Sequence, residues 1–580
     1  MSETIIIDNA TMQFLARRAD ELIDERNEND IHLFICSLER VDFSFDHYLT
    51  NASFHYTLGN CYSHLNIITN SNWYSDEVSK GILHYRKAMH LLESNDAQDE
   101  NNKKLRSLVE TNLANNLVSQ GRILCGRKHW DKAISIDNNP VAIIRKALNE
   151  LKIANCLYDD SHRYHHYYHA HKLINSGLAQ IDELHSSQRS AYHDDGELMR
   201  FYRWFEESFT EEDFQLDKSY VEKVKTKINR AYLEWSAEKR LFINDLNDIY
   251  TFDLVFQDIF SLPDMSFKIN DILTLNEELI FHGLYDEIKN DFCYARYLTF
   301  ISESIPDDKN HFFNSTYSHI EDFSYSLTNI KGQHLKSAFK TLFSIFDKIA
   351  YFLNAYLGLR DVGSKIYFQN VFGDISNGLL KPNEKIKGSD NIFVHALFYI
   401  LKDFRDTNPK GLIDDKLSYW LDPDMKAFSD IRNAIEHKSF GISDDFGFTL
   451  YQSDEPYKNK KHEAIKKEIS ELKEKISITS KLIKDKASND RSTSLENLLI
   501  EKDTLIKALD DLTMKSKDKE QRSKFSLHIS EEDFMIRLYD MFELVRNSII
   551  YLSMCVHHEE NKRKSSGGLS IPRELPLKRR

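Results

Sequence analysis

The chain has 580 residues, room for about four domain-sized units at roughly 150 residues each. Only 18 glycines and 9 prolines argue against a turn-dense sandwich, barrel or propeller, while 41% hydrophobic residues, with 36 Phe and 28 Tyr, exclude global disorder. Lys plus Arg (76) against Asp plus Glu (91) gives a net charge of −15, which excludes a general nucleic-acid coat and leaves only local contact with phosphates. Cys36, Cys61, Cys125, Cys156, Cys293 and Cys555 show no CxxC or other ligand spacing, so neither a disulfide framework nor a zinc module is indicated, and a reducing cytoplasm fits. The opening MSETIIIDNATMQF lacks the basic and apolar parts of an export signal. The most apolar stretch, Phe339 to Leu359, contains Asp347 and Lys348, so no membrane span is expected.

From about 10 to 210 the pattern predicts amphipathic helices of roughly 12 to 20 residues with short polar loops. Leu58, Gly59 and Tyr62 are followed by Tyr85 and Ala88; Trp130, Ala133 and the run Ile136 to Pro140 close a second helix pair. These stretches resemble tetratricopeptide repeats, with generic helical hairpins as the other reading. Either gives a stacked array over 1–210, with a concave surface suited to binding a protein trigger or antitoxin. A connecting region, 211–330, continues helical through Tyr232 to Ile249 and Asn290 to Phe300.

A long helix from Gln333 to Leu359 carries apolar residues at three- and four-residue spacing over more than one narrow face. A second spans Asn391 to Phe404. A third begins at Asp422-Pro423, a capping residue and an N1 proline, and should stop near Phe440, because Gly441 suits the C′ position. The last starts at Ser530 with two acids in its first turn. These four helices form a bundle, 331–441 with 522–560, interrupted by an insertion, 442–521. Ile465, Ile469, Leu472, Ile476 and Ile483 step by heptads, as do Leu495, Leu498, Leu505, Leu509 and Leu512. They predict an antiparallel helical hairpin, with Gly447–Ser453 and Lys524–Ser530 pairing as a ribbon at its base. The tail, 561–580, reads as a flexible basic segment. The expected class is all-α: a helical-repeat array followed by an interrupted bundle.

The sharpest chemical signal is Arg432-Asn433-x-x-x-His437, inside IRNAIEHKSF at the end of the third bundle helix. An arginine with a histidine five to seven positions on recurs at Arg40 and His47, Arg122 and His129, Arg163 and His169, and Arg522 and His528. The four-residue interval occurs only at Arg432, where asparagine follows the arginine. Here the chain resembles the HEPN superfamily, helical bundles marked by an arginine, a following polar residue and a histidine after four to six positions. Asp347-Lys348 on the first bundle helix and the repeat-like front end extend the likeness to large bacterial members with helical-repeat sensor regions. The resemblance implies a metal-independent endoribonuclease of toxin–antitoxin or abortive-infection defence, active as a homodimer through the bundle.

Such cleavage needs a base for the 2′-hydroxyl proton, an acid for the leaving 5′-oxygen and a cation for the charged phosphorane. Histidine and arginine meet these needs without metal or cofactor. The ends would be a 2′,3′-cyclic phosphate and a 5′-hydroxyl. On an ideal helix Arg432 and His437 lie about 140° apart with ~7.5 Å of rise, so two copies across a two-fold axis would complete one site. The candidate catalytic residues are Arg432, Asn433 and His437. Candidate RNA-backbone contacts are Lys438, Lys562, Arg563, Lys564, Lys578, Arg579 and Arg580. The competing reading pairs Arg432 and His437 with nearby acids such as Glu436 and Asp430, in a scaffold whose bundle only dimerises. His162, His165, His166 and His169 could hold a metal or contact RNA, but an amphipathic repeat helix is favoured because no third-ligand motif or HExxH glutamate accompanies them.

Overall fold

Helix after helix begins where a polar side chain caps the backbone. The computed structural model describes residues 5–41, 43–69, 73–95, 99–184, 186–216, 226–251, 275–305, 329–360, 366–376, 379–406, 423–444, 493–523 and 526–565, with shorter pieces within 253–265, at 312–313 and 448, and within 465–483. Numbering the longer helices in chain order, the front end contains α1 (Asn9–Glu25), α2 (Glu28–Glu39), α3 (Tyr48–Thr69), α4 (Asp76–Glu93), α5 (Glu100–Ser119), α6 (Cys125–Asp137), α7 (Pro140–Cys156), α8 (Asp160–Leu178) and α9 (Glu197–Ser208). The strands β1 (Ile5–Ile7) and β2 (Phe43–Phe45) pair in parallel. α10 (Lys227–Glu238) and α11 (Leu275–Glu303) follow. The C-terminal part holds α12 (Ile330–Leu357), β3 (Gly373–Ser376), β4 (Leu379–Pro382), α13 (Ile392–Asp406), α14 (Pro423–His437), β5 (Ser439–Ser443), α15 (Thr493–Ser523), β6 (Ser526–Ser530) and α16 (Glu531–Ser565). The all-α class holds, and all four expected bundle helices form.

The chain divides into two units. The first comprises Met1–Phe300, Thr341–Ala427 and Asp540–Arg580. In it α3 with α4, α5 with α6, and α7 with α8 make successive helical pairs. A Cβ on Gly59 would fall 2.6 Å from the Tyr85 ring, so glycine is what lets α3 and α4 close. Asn139 caps α7 by accepting from Val141 N and Ala142 N at 3.0 and 3.3 Å, ahead of Pro140. Trp130 is buried with Ala114, Ala133 and Ala142. α10 stops at Glu238, short of the predicted Ile249, because Arg240 turns left-handed (φ 56°) and Asn244 caps a one-turn helix at Asp245–Asp248.

The front-end pairs and the C-terminal helices share this unit. Phe346 packs on Phe404, and Phe393 on Tyr551. The Tyr551 hydroxyl accepts from Leu124 N at 2.8 Å, and Arg122 pairs with Asp403 at 2.6 Å. Gly121 has φ +81°, and a Cβ there would lie 2.1 Å from the Ile392 carbonyl oxygen, so no other residue fits.

The second unit comprises Ile301–Lys340 and Phe428–Tyr539. Its aromatic core sets Phe339 of α12 against Phe428 of α14 and Phe534 of α16, with Phe440 of β5 also on Phe534. β6 forms where a strand was expected, but its partner is β5, in parallel from Ser439↔Ser526 to Ser443↔Ser530. Of Gly447–Ser453, only Phe448 lies among the described residues, and it is helical. α14 correspondingly ends at His437, and Gly441 sits within β5 rather than capping a helix. Burial of Phe440, Ile442 and Ser443 draws this segment into the ladder. At the other end of β6, Ser530 Oγ accepts from Asp533 N at 3.0 Å and starts α16 above three acids. Both insertion limbs are helical where described. α16 continues to Ser565, past residue 561 where a flexible tail was expected to begin, and the residues after it lie outside those described.

Candidate active site

α14 is amphipathic, so its buried face fixes where the motif points. Met425, Phe428, Ile431 and Ala434 are buried, which leaves Arg432, Asn433 and Glu436 half-buried beside them and His437 exposed at the last helical position. The rigid helix ends there because Ser439 enters β5. Lys336 Nζ donates to the Phe440 carbonyl at 2.7 Å and lies over the Phe440 ring, so α12 pins the chain just after the motif. Burial pulls the Lys336 ammonium below its usual range.

The motif side chains meet at a carboxylate. Glu436 Oε2 is 3.0 Å from Arg432 Nη2 and 3.7 Å from His437 Nε2. Glu436 Oε1 is 3.6 Å from Lys340 Nζ, contributed by α12 one turn after Lys336. Arg432 Nη1 also donates to Asn433 Oδ1 at 3.1 Å. The angular separation of an ideal helix therefore does not carry over to the side-chain tips: long side chains fold round, and both reach one oxygen atom. Sequence reasoning treated Glu436 only as a competing partner and did not single out Lys340. The signal for Lys340 was its four-residue spacing from Lys336 on the polar side of α12, but nothing local tells which helix it faces.

The remaining candidates separate. Lys438 is exposed beside the motif. Lys562 is not in a free tail: it lies in α16, pairs with Asp390 and sits 3.5 Å from Glu559. Arg563 and Lys564 lie in the same helix, their side chains outside the described residues, as are Lys578, Arg579 and Arg580 altogether.

The histidine-rich helix α8 is occupied internally. His162 Nδ1 is 2.7 Å from Asp245 Oδ1; His166 bridges Glu150 Oε2 at 2.6 Å and Asp245 Oδ2 at 2.8 Å. Arg127 meets Glu150 at 3.1 Å and Asp248 at 3.4 Å, and Arg546 meets Asp248 at 2.8 Å. Burial opposes the charge on His166, but the hydrogen bonds it donates to Asp245 and Glu150 overcome that and hold the pKa above the ordinary value. Burial likewise works against the Asp245 carboxylate, and His162 beside it more than compensates, so its pKa is lowered. Among the described residues His169 Nε2 has no hydrogen-bond partner, and burial pushes the pKa down to about 3. Among the described residues no group of three or more His, Cys, Asp or Glu is arranged to hold a metal ion.

Residues 272–484 match the family described as LA2681-like HEPN. The chain carries an HEPN domain. The matched HEPN segment takes in α12, α13, α14 and β5, contains Arg432, Asn433 and His437, and ends before α15 and α16. No curated protein and no solved structure matches the chain. No described helix is long and apolar enough to cross a membrane.

Proposed function

We propose that this protein is a metal-independent endoribonuclease whose HEPN domain cleaves RNA with Arg432, Asn433 and His437. The observation that carries the reading is the convergence of Arg432 and His437 on a single carboxylate oxygen at an open helix end. A position that one anionic oxygen occupies in the free protein suits a phosphate oxygen of a substrate. His437 would take the 2′-hydroxyl proton as that oxygen attacks phosphorus; the P–O5′ bond would break, and the 5′-oxygen would leave protonated by the histidine of a second copy. Arg432 would hold the phosphorane charge through its fork, and Asn433 would fix the guanidinium through the bond it already accepts. The products are a 2′,3′-cyclic phosphate and a 5′-hydroxyl. No cofactor is invoked.

In this reading the protein is a cytoplasmic effector of antiviral or toxin–antitoxin defence, acts as a homodimer through the HEPN bundle, and is governed by a protein trigger or antitoxin on the front-end helical pairs. Lys438 and the basic residues Lys578, Arg579 and Arg580 would follow the RNA backbone. A non-catalytic scaffold is the second reading, favoured by the ion pairing of Arg432 with Glu436, which neutralises the motif internally. End-labelled total RNA incubated in EDTA with the wild type and with His437→Ala separates the two. Cleavage by the wild type alone, leaving cyclic phosphates, is expected; equal cutting by both would remove His437 from the mechanism, and cutting by neither favours the scaffold.

A further inference from the structure

The carboxylate that gathers the motif also blocks it. Glu436 faces Arg432 at 3.0 Å, His437 at 3.7 Å and Lys340 at 3.6 Å, so three positive or titratable tips from two helices share one side chain. A carboxylate and a phosphodiester each present a pair of anionic oxygens, and both are read by the arginine fork and by a lysine point charge. Lys340 is 57% exposed and Arg432 35%, so both can be reached from solvent while Glu436 holds them. A partly solvated pair of this kind is weakly held and screened by salt, whereas a polyanion brings several charges to the same surface.

We propose that Glu436 is an internal competitor for the RNA phosphate: it occupies the phosphate position between Arg432, His437 and Lys340 in the free protein, and RNA must displace it to engage the motif. Lys340 is then a phosphate-binding residue contributed by the first bundle helix, outside the Arg-Asn-His motif. The inference rests on reading this cluster as the RNA site. It states in addition that Glu436 opposes binding rather than assisting it, which sets the sign of the test.

The experiment measures binding of a fluorescent 2′-O-methyl oligonucleotide, which cannot supply the 2′-hydroxyl nucleophile, to the full chain at low salt. Glu436→Gln keeps the side-chain length and leaves the buried face of α14 untouched; Glu436→Ala is the second variant. Both are expected to bind about fivefold tighter than wild type, the effect of removing one like charge at roughly 4 Å in water-like surroundings. The gain should vanish when Arg432→Ala is added, and Lys340→Ala alone should bind a few-fold more weakly than wild type. Unchanged or weaker binding by both Glu436 variants, or no binding by any form of the protein, overturns the proposal. Unmodified RNA in EDTA, run in parallel, distinguishes the two claims. Tighter binding with no cutting by any form would keep the competitor and remove the nuclease, while cutting by wild type without any gain in Glu436→Gln would do the reverse.

Discussion

Arginine, histidine and carboxylates meet twice in this protein with opposite consequences. Around Asp245, the side chains of His162, His166, Glu150, Arg127 and Arg546 are nearly or wholly out of water, and each charge has a fixed partner. Around Glu436, the same residue types sit at a helix end, with the His437 side chain 66% exposed. Removing one partner from the first cluster strands a buried charge, a large cost; removing one from the second leaves water to take its place. The first ties α6, α7, α8 and α16 together within one unit. The second lies where solvent reaches its cations, as the proposed exchange of its internal anion for another requires.

The widest separation is expected from His437→Ala. Loss of a general acid–base group costs about 10²- to 10⁴-fold in rate, while the exposed side chain contributes little to folding, so stability should move by less than about 0.5 kcal/mol. RNA cleavage and urea unfolding on the same preparation test both halves. Arg127→Met is the mirror experiment. It leaves Glu150 without its guanidinium and Asp248 with only that of Arg546 and should cost about 3–5 kcal/mol. A midpoint near wild type would show that the buried network can be dismantled cheaply, and the comparison would collapse.

A third test uses proton linkage. His169 is held near 3 in the folded chain, so as pH falls below its ordinary value of about 6.5 the unfolded state takes up a proton that the folded state refuses, and stability drops. Between about pH 7.5 and pH 5 the wild type should lose about 1–2 kcal/mol relative to His169→Asn. His166 works in the other sense: with its folded pKa raised, its contribution is complete below about 6.5 and is lost as pH rises through the folded value. Unfolding midpoints of wild type and His169→Asn at the two pH values check the sign. A difference independent of pH would mean that His169 takes up its proton in the folded protein as readily as in the unfolded chain.

What could be read in advance follows the range of the interactions involved. The start of α14 at Pro423 and the cap of α16 at Ser530 depend on neighbours within four residues, and composition and spacing reveal them. The heptads of the insertion, and the glycine and proline that shape α3 and α7, are similarly local. The β5–β6 pairing joins Phe440 to Leu527 across the insertion, so a rule that reads Gly441 as a helix cap had no access to the ladder that claims it. The same limit applies to sites. Arg432 and His437 stand out because they share one helix, whereas Lys340 arrives from another. The α8 histidines read best as one face of an amphipathic repeat helix, with a metal or RNA surface as lesser readings, and only Asp245, far along the chain, shows what that face meets. Glu436 was visible all along; burial and distance were needed to see that one oxygen serves both motif residues.

The smallest effect concerns two lysines that sequence treats alike. Lys438 is exposed next to the motif, while Lys562 is paired with Asp390 and near Glu559. A lysine that neutralises a phosphate on binding contributes about one unit to the slope of log affinity against log salt, less for single strands. Lys438→Ala should lower that slope by close to this amount with little change in stability. Lys562→Ala should leave it unchanged, because its charge is already compensated within α16 and by Asp390. A slope that falls for Lys562→Ala would mean that RNA pulls this lysine away from its acids, and the exchange of an internal anion for phosphate would then extend beyond Glu436.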